Sequence, residues 1–234
     1  MHPINLLFSL TSLDVILVTL ERFSFTTSVF LPPHDFIRLH EAFQMIFLIL
    51  GTVLIPFLLL RYVSAEFKLL SGRRGLILSL VFITGIYFYA TGNGVHEIAS
   101  FAYNTYCNIK NVEAGMCTSM FINDYYLGNG LYFLGAIMMN IVLLILERGN
   151  PDKTFKRKDL LILMINSVIY SLAIFAYAAV DRVLVGLLYS IVMTIIVLYF
   201  FLINRKKYVW MPITTSLTIS YVLGTAASLI VRLR

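Results

Sequence analysis

The sequence predicts an all-α fold, a polytopic transmembrane helical bundle of about seven spans, and three observations predict it. Apolar runs of about 20 residues recur along the chain, the length needed to cross hydrocarbon at a rise of about 1.5 Å per residue. Hydrophobic residues fill 59% of the 234 positions and charged residues only 13%, with a mean hydropathy of +0.87, too apolar for a water-soluble domain. The 18 lysines and arginines lie between or beside the apolar runs and gather in alternate connections. The whole chain, 1–234, reads as a single integral membrane domain.

The spans fall at about 4–20, 42–63, 76–98, 126–146, 159–179, 182–203 and 210–231. The first is the shortest and the most polar, with Asn5, Ser9, Thr11, Ser12 and Asp14. It has no basic n-region and carries Asp14 within its apolar stretch, which favours a retained span over a cleaved signal peptide. The fifth and sixth form one apolar stretch interrupted only by Asp181-Arg182. A single helix of that length is about twice the membrane thickness, so the chain turns back around Tyr177 to Arg182. On the last span, Ser216, Ser220, Gly224 and Ser228 form a small-residue stripe at spacing four, a face for packing against a partner helix.

Basic residues set the orientation. The even connections hold Arg61, Lys68, Arg73 and Arg74; Arg148, Lys153, Lys156, Arg157 and Lys158; and Arg205, Lys206 and Lys207. The odd connections hold only Arg22, Arg38, Lys110 and Arg182. Cytoplasmic loops carry the Lys/Arg excess, which places the N-terminus in the cytoplasm and the C-terminus outside, in the plasma (cytoplasmic) membrane. Arg232 and Arg234 dissent from this assignment. The net charge of +6 then reflects topology and contact with anionic membrane lipids, and no nucleic-acid partner is implied. The third connection, about 99–125, is extracytoplasmic and is the longest and least apolar. Cys107 and Cys117, the only cysteines, both lie in it and are expected to form a disulfide there.

Polar residues cluster on the same outer side. His40-Glu41 opens the second span, His96-Glu97 closes the third, Asn123-Asp124 opens the fourth with Asn129 following, and Asp181 sits at the turn between the fifth and sixth. His34 and Asp35 lie in the first outer connection. On a helix, His96, Ser100 and Asn104 share one face, with Asn93 and Glu97 in the neighbouring row. His96 and Glu97 point about 100° apart, so a metal shared between spans draws one member from each doublet. The glycines of Gly92-Asn93-Gly94 are expected to loosen the helix before His96. Glu41, Asp124 and Asp181 also have a plain structural explanation, since a carboxylate near a helix N-terminus is favoured by the macrodipole. Near mid-span stand Asp14, Asn140 and Asn166; the asparagines read as interhelical hydrogen-bonding groups, and Asp14 marks a proton or ion path or another such bond.

Several classes are excluded by what the residues lack. The last span has no lysine for a retinal Schiff base, and all four histidines precede residue 97, so the later spans lack the histidine pairs that hold zinc in progestin/adipoQ receptors and alkaline ceramidases. No H-E-x-x-H, nucleotide-loop or nucleophile-elbow motif occurs. The leading expectation is an intramembrane enzyme acting on a lipid-like substrate. His40, Glu41, His96, Glu97 and Asp124 supply its acid–base groups, and His40, His96 and Asp124 are the candidate ligands for a divalent transition metal. The alternative is a transporter, channel or receptor using the same cluster as an outer vestibule, or a structural subunit of a membrane complex.

Overall fold

A computed structural model describes residues 1–107 and 115–234, with the side chain of Leu48 left out, and Lys110 lies outside the described residues. Among the described residues seven helices are long and apolar enough to cross a membrane: α1 (Pro3–Glu21), α2 (Leu39–Val63), α3 (Gly72–Tyr106), α4 (Met116–Gly149), α5 (Arg157–Ala179), α6 (Val185–Ile203) and α7 (Pro212–Arg232). No strand occurs among the described residues. Large apolar side chains stay exposed around the outside, among them Leu76, Leu80, Ile83, Leu161, Ile165 and Ile195. A lipid belt accommodates such a surface and water does not.

α3 and α4 are longer than the expected spans, α3 measuring about 52 Å at 1.5 Å per residue. The extra turns, 99–106 of α3 and 116–125 of α4, carry Ser100, Asn104, Asn123 and Asp124 from what reads in the sequence as the third connection. Asp124 is buried there, and a disulfide joins Cys107 to Cys117. The helix also runs unbroken through Gly92-Asn93-Gly94, against the expected loosening.

Those glycines instead bring two backbones together. A Cβ on Gly92 would stand 2.2 Å from the Tyr132 amide nitrogen, one on Gly135 would stand 2.4 Å from the Gly85 carbonyl oxygen, and one on Gly128 would stand 2.8 Å from the His96 amide nitrogen. Gly85 and Gly92 on α3, and Gly128 and Gly135 on α4, are each one heptad apart, so the antiparallel pair meets along a seam without side chains. Tyr89 and Tyr132 flank the seam, with rings stacked at 4.2 Å and hydroxyls 2.8 Å apart.

The last helix is buried on the side its small-residue stripe marks. Ser216 bonds Ser167 of α5 at 2.8 Å, Ser220 donates to the Ser167 carbonyl at 2.9 Å, and a Cβ on Gly224 would press on Ile174 at 2.7 Å. The stripe therefore faces α5 of the same chain. Asn166 links α5 to α1 through Ser12 and Ser9, as an interhelical group should. Asn140 does not, because its amide donates to the Ala136 carbonyl one turn back on its own helix. Arg232 donates to the carbonyls of Ala178 and Asp181, which gives this charge a structural task at the end of α5.

At the end of the bundle holding the basic connections, carboxylates cross-link the helices. Glu147, 1% exposed, accepts from the backbone amides of Ile213 and Thr214 at 2.7 and 2.8 Å, and so caps the start of α7 from the end of α4. Asp152 takes a hydrogen bond from Tyr62 and faces His2 at 3.3 Å.

Gly92→Ala is expected to destabilise the protein by about 1–3 kcal/mol through overpacking against α4. Gly94→Ala, whose Cβ meets nothing within 4 Å, should be neutral or stabilising. Thermal unfolding in detergent measures both, and equal melting temperatures would contradict the seam.

Candidate functional site: a polar cavity between the helices

A cavity of about 810 Å³ opens between α1, α2, α3, α4, α5 and the start of α7. His40, Glu41, His96, Glu97 and Asp124, the five residues expected to act together, all line it. Asn93, Ser100, Asn104, Asn129 and Asp181 line it as well. Its deeper wall is aromatic and aliphatic, with Tyr89, Tyr132, Tyr170, Leu143, Ile213 and Leu217.

Two histidine–carboxylate pairs stand on this wall. His96 Nδ1 lies 2.7 Å from Asp124 Oδ1, and Asp124 is 1% exposed. The seam explains the proximity: Gly128 lets α4 touch the α3 backbone at His96, and Asp124 is one turn from Gly128. His40 Nδ1 lies 2.5 Å from Glu21 Oε2. Glu21 also accepts from Gln44 at 2.9 Å and from the Thr26 hydroxyl. Both histidine–carboxylate approaches are close ion-pair contacts, although neither His40 Nδ1 nor the Asp124 carboxylate oxygens are aligned for a hydrogen bond, and among the described residues Nε2 of each imidazole has no partner.

Both pairs adjoin a π-helical turn. Gln44–Leu48 interrupts α2 with one such turn and Asn123–Gly128 interrupts α4 with another, so Gln44 and Asp124 each sit on a widened turn. A π-bulge adds one residue to a helix and rotates the turns beyond it, and such bulges recur at functional sites. Nothing in the apolar pattern of either span signals them.

The other members divide by partner. Arg38 and Glu41 form an ion pair, and the Arg38 amide donates to Glu41 at 3.2 Å, so Glu41 does serve as a helix-start cap. Asn129 donates to Asp181 at 3.2 Å, and burial pushes the Asp181 carboxyl above its ordinary range. Glu97, 6% exposed, lies within electrostatic reach of His96, Arg22 and His40.

The metal expectation is corrected here. Among the described residues no group of three His, Cys, Asp or Glu side chains is placed to hold a metal ion. Asp124 serves as the partner of His96, and His40 turns its Nδ1 to Glu21, so His40, His96 and Asp124 belong to two separate pairs. Glu21 was missed in the sequence because it follows an apolar run and precedes Arg22, the appearance of an ordinary helix end. Its only distinguishing signal is that it falls on the same side of the membrane as His40. No protein-family model, curated protein or solved structure matches the chain.

The protein has no free cysteine among the described residues, so single introduced cysteines report the cavity cleanly. Ser100→Cys, on the cavity wall, should react with a charged thiosulfonate reagent about tenfold or more faster than Ile83→Cys, which is 61% exposed on the outer face. A charged reagent is strongly disfavoured in hydrocarbon. Equal rates would mean the wall is not wet.

Proposed function

We propose that the chain is an intramembrane enzyme performing general acid–base chemistry on a lipid-like amphiphile that enters this cavity. The observation that carries the reading is that His40 and His96 both line this cavity with Nδ1 against a carboxylate and with no partner for Nε2 among the described residues. A carboxylate on Nδ1 fixes the ring and its tautomer and supports the charge that forms when Nε2 takes a proton. The couples differ, since Glu21 also accepts from Thr26 and Gln44. Unequal surroundings are the condition for one imidazole to act as base while the other acts as acid. Glu97, a buried carboxylate of the same lining next to His96 in the chain, is a third acid–base group of the site, and Arg38 keeps Glu41 paired.

The amphiphile follows from the shape of the lining: charged groups at the level of His40 and His96, aromatic rings below, and aliphatic side chains at the floor. Pockets of this size class take drug- or lipid-sized molecules and orient them by a few polar groups. On the orientation set by the basic connections, the polar part of the cavity faces the outer leaflet of the plasma membrane. A transporter is the second reading, and one observation favours it: the cavity runs past Asp14 to Leu59 and Ile213, close to the opposite end of the bundle.

The test is turnover. The protein is reconstituted in vesicles made from a total lipid extract of the expression host, and lipid species are followed by mass spectrometry. Depletion of one species with growth of a product is expected, and His96→Ala or His40→Ala should slow it by about 10²–10⁴-fold, the usual worth of a general acid or base. Uptake of protons or solute into the vesicles with an unchanged lipid profile would decide for the transporter.

A further inference from the structure

The carboxylates of the cavity are not alike. Glu41 has Arg38, Asp124 has His96, Asp181 has Asn129, and Glu97 feels Arg22 and both histidines. Asp14 has none of these. It is 9% exposed, lines the cavity, and has no hydrogen bond or ion pair among the described residues. It sits seven residues before Glu21, about 10 Å deeper along α1. Its carboxyl lies against Gly51 of α2, where a Cβ would come within 3.1 Å of Oδ1, so the absent side chain is what gives the carboxyl room.

A second buried group of the cavity also lacks a partner. Asn93, 9% exposed and one turn below Glu97, has an amide nitrogen with no acceptor among the described residues. The same lining carries rings, Tyr89 and Tyr132 stacked, with Phe133, Tyr170 and Tyr177, and the hydroxyls of Thr11 and Thr52. A buried carboxylate calls for a cation, and tyrosine faces attract one through their quadrupoles. A lone metal ion does not suit a chamber of about 810 Å³ walled mostly by rings and aliphatic groups. An amine does, and a neighbouring carbonyl or hydroxyl oxygen on the same molecule would accept from Asn93.

We propose that Asp14 is the counter-ion of a mid-membrane ammonium site, so that the ligand of this cavity is an amine-bearing amphiphile. Its ammonium lies between Asp14 and the tyrosines, an oxygen accepts from Asn93, and its chain runs toward Leu59, Leu143 and Leu217. The proposal rests on the amphiphile reading above and adds the charge of the ligand to it. The histidine pairs then stand toward the cavity mouth from the ammonium, over the part of the molecule that carries the oxygen.

Equilibrium binding of radiolabelled dodecylamine to the protein in phosphatidylcholine nanodiscs tests it. Saturable binding is expected, with displacement by unlabelled dodecylamine and not by dodecanol or dodecanoate, and with affinity at least about tenfold weaker in Asp14→Asn. Displacement by dodecanol or dodecanoate as effective as by the amine would overturn the site, as would unchanged affinity in a folded Asp14→Asn. The competition arm uses the wild-type protein alone, so a variant that fails to fold leaves the proposal fully exposed. Turnover is not read, which separates the two claims: loss of amine selectivity leaves the histidine chemistry standing, and inert histidine variants leave the ammonium site standing.

Discussion

The close approach of α3 and α4 is the constraint on which the rest of this molecule depends. Between helices in a bilayer there is little hydrophobic drive, because lipid tails are as apolar as leucine, so association rests on van der Waals fit and hydrogen bonds. Four glycines at heptad spacing remove the side chains that would hold these two backbones apart. The register they impose puts His96 on Asp124 and stacks Tyr89 on Tyr132. Shifting α4 by one turn would take Asp124 away from His96 and leave a buried carboxylate without its counter-charge, a state costing several kcal/mol.

The other helices are arranged around that pair according to where their polar groups are satisfied. α7 is bound to α5 through serines and to α4 through Glu147, and α1 is bound to α5 through Asn166. α1 and α2 cover the remaining side and bring Glu21, His40 and Asp14. The basic end is cross-linked by Glu147, Asp152 and their partners, whereas toward the other end the helices leave a larger chamber whose wall holds most of the unusual side chains. A bundle evolved only for packing would not put five carboxylates and two histidines on one internal surface, since each raises the energy of the apolar interior.

Much of this was legible in the sequence. Seven spans follow from run length, and the polar residues expected to share a surface do line one cavity, because hydrophilic groups at similar depth in neighbouring spans have few other places to go. The contact geometry was not legible. Helical periodicity shows that His96 and Ser100 share a face but not which helix that face meets, and Gly92 reads equally as a weak point or as a seam. The two π turns leave no trace in an apolar pattern, so the pairing of His40 with Glu21 in place of a shared metal had no visible antecedent. Asn140 shows the same limit: an amide in mid-span satisfies itself within its own helix or across to another, and the residue type does not say which.

A double-mutant cycle on His96 and Asp124 tests most directly the claim that the α3–α4 seam creates a working histidine–carboxylate couple. Unfolding free energies of wild type, His96→Ala, Asp124→Ala and the double variant are compared in one detergent. Residues in direct contact couple by about 0.5–3 kcal/mol, and a coupling of about 1 kcal/mol or more is the expected result. Additivity within about 0.3–0.5 kcal/mol, the behaviour of independent sites, would contradict the account.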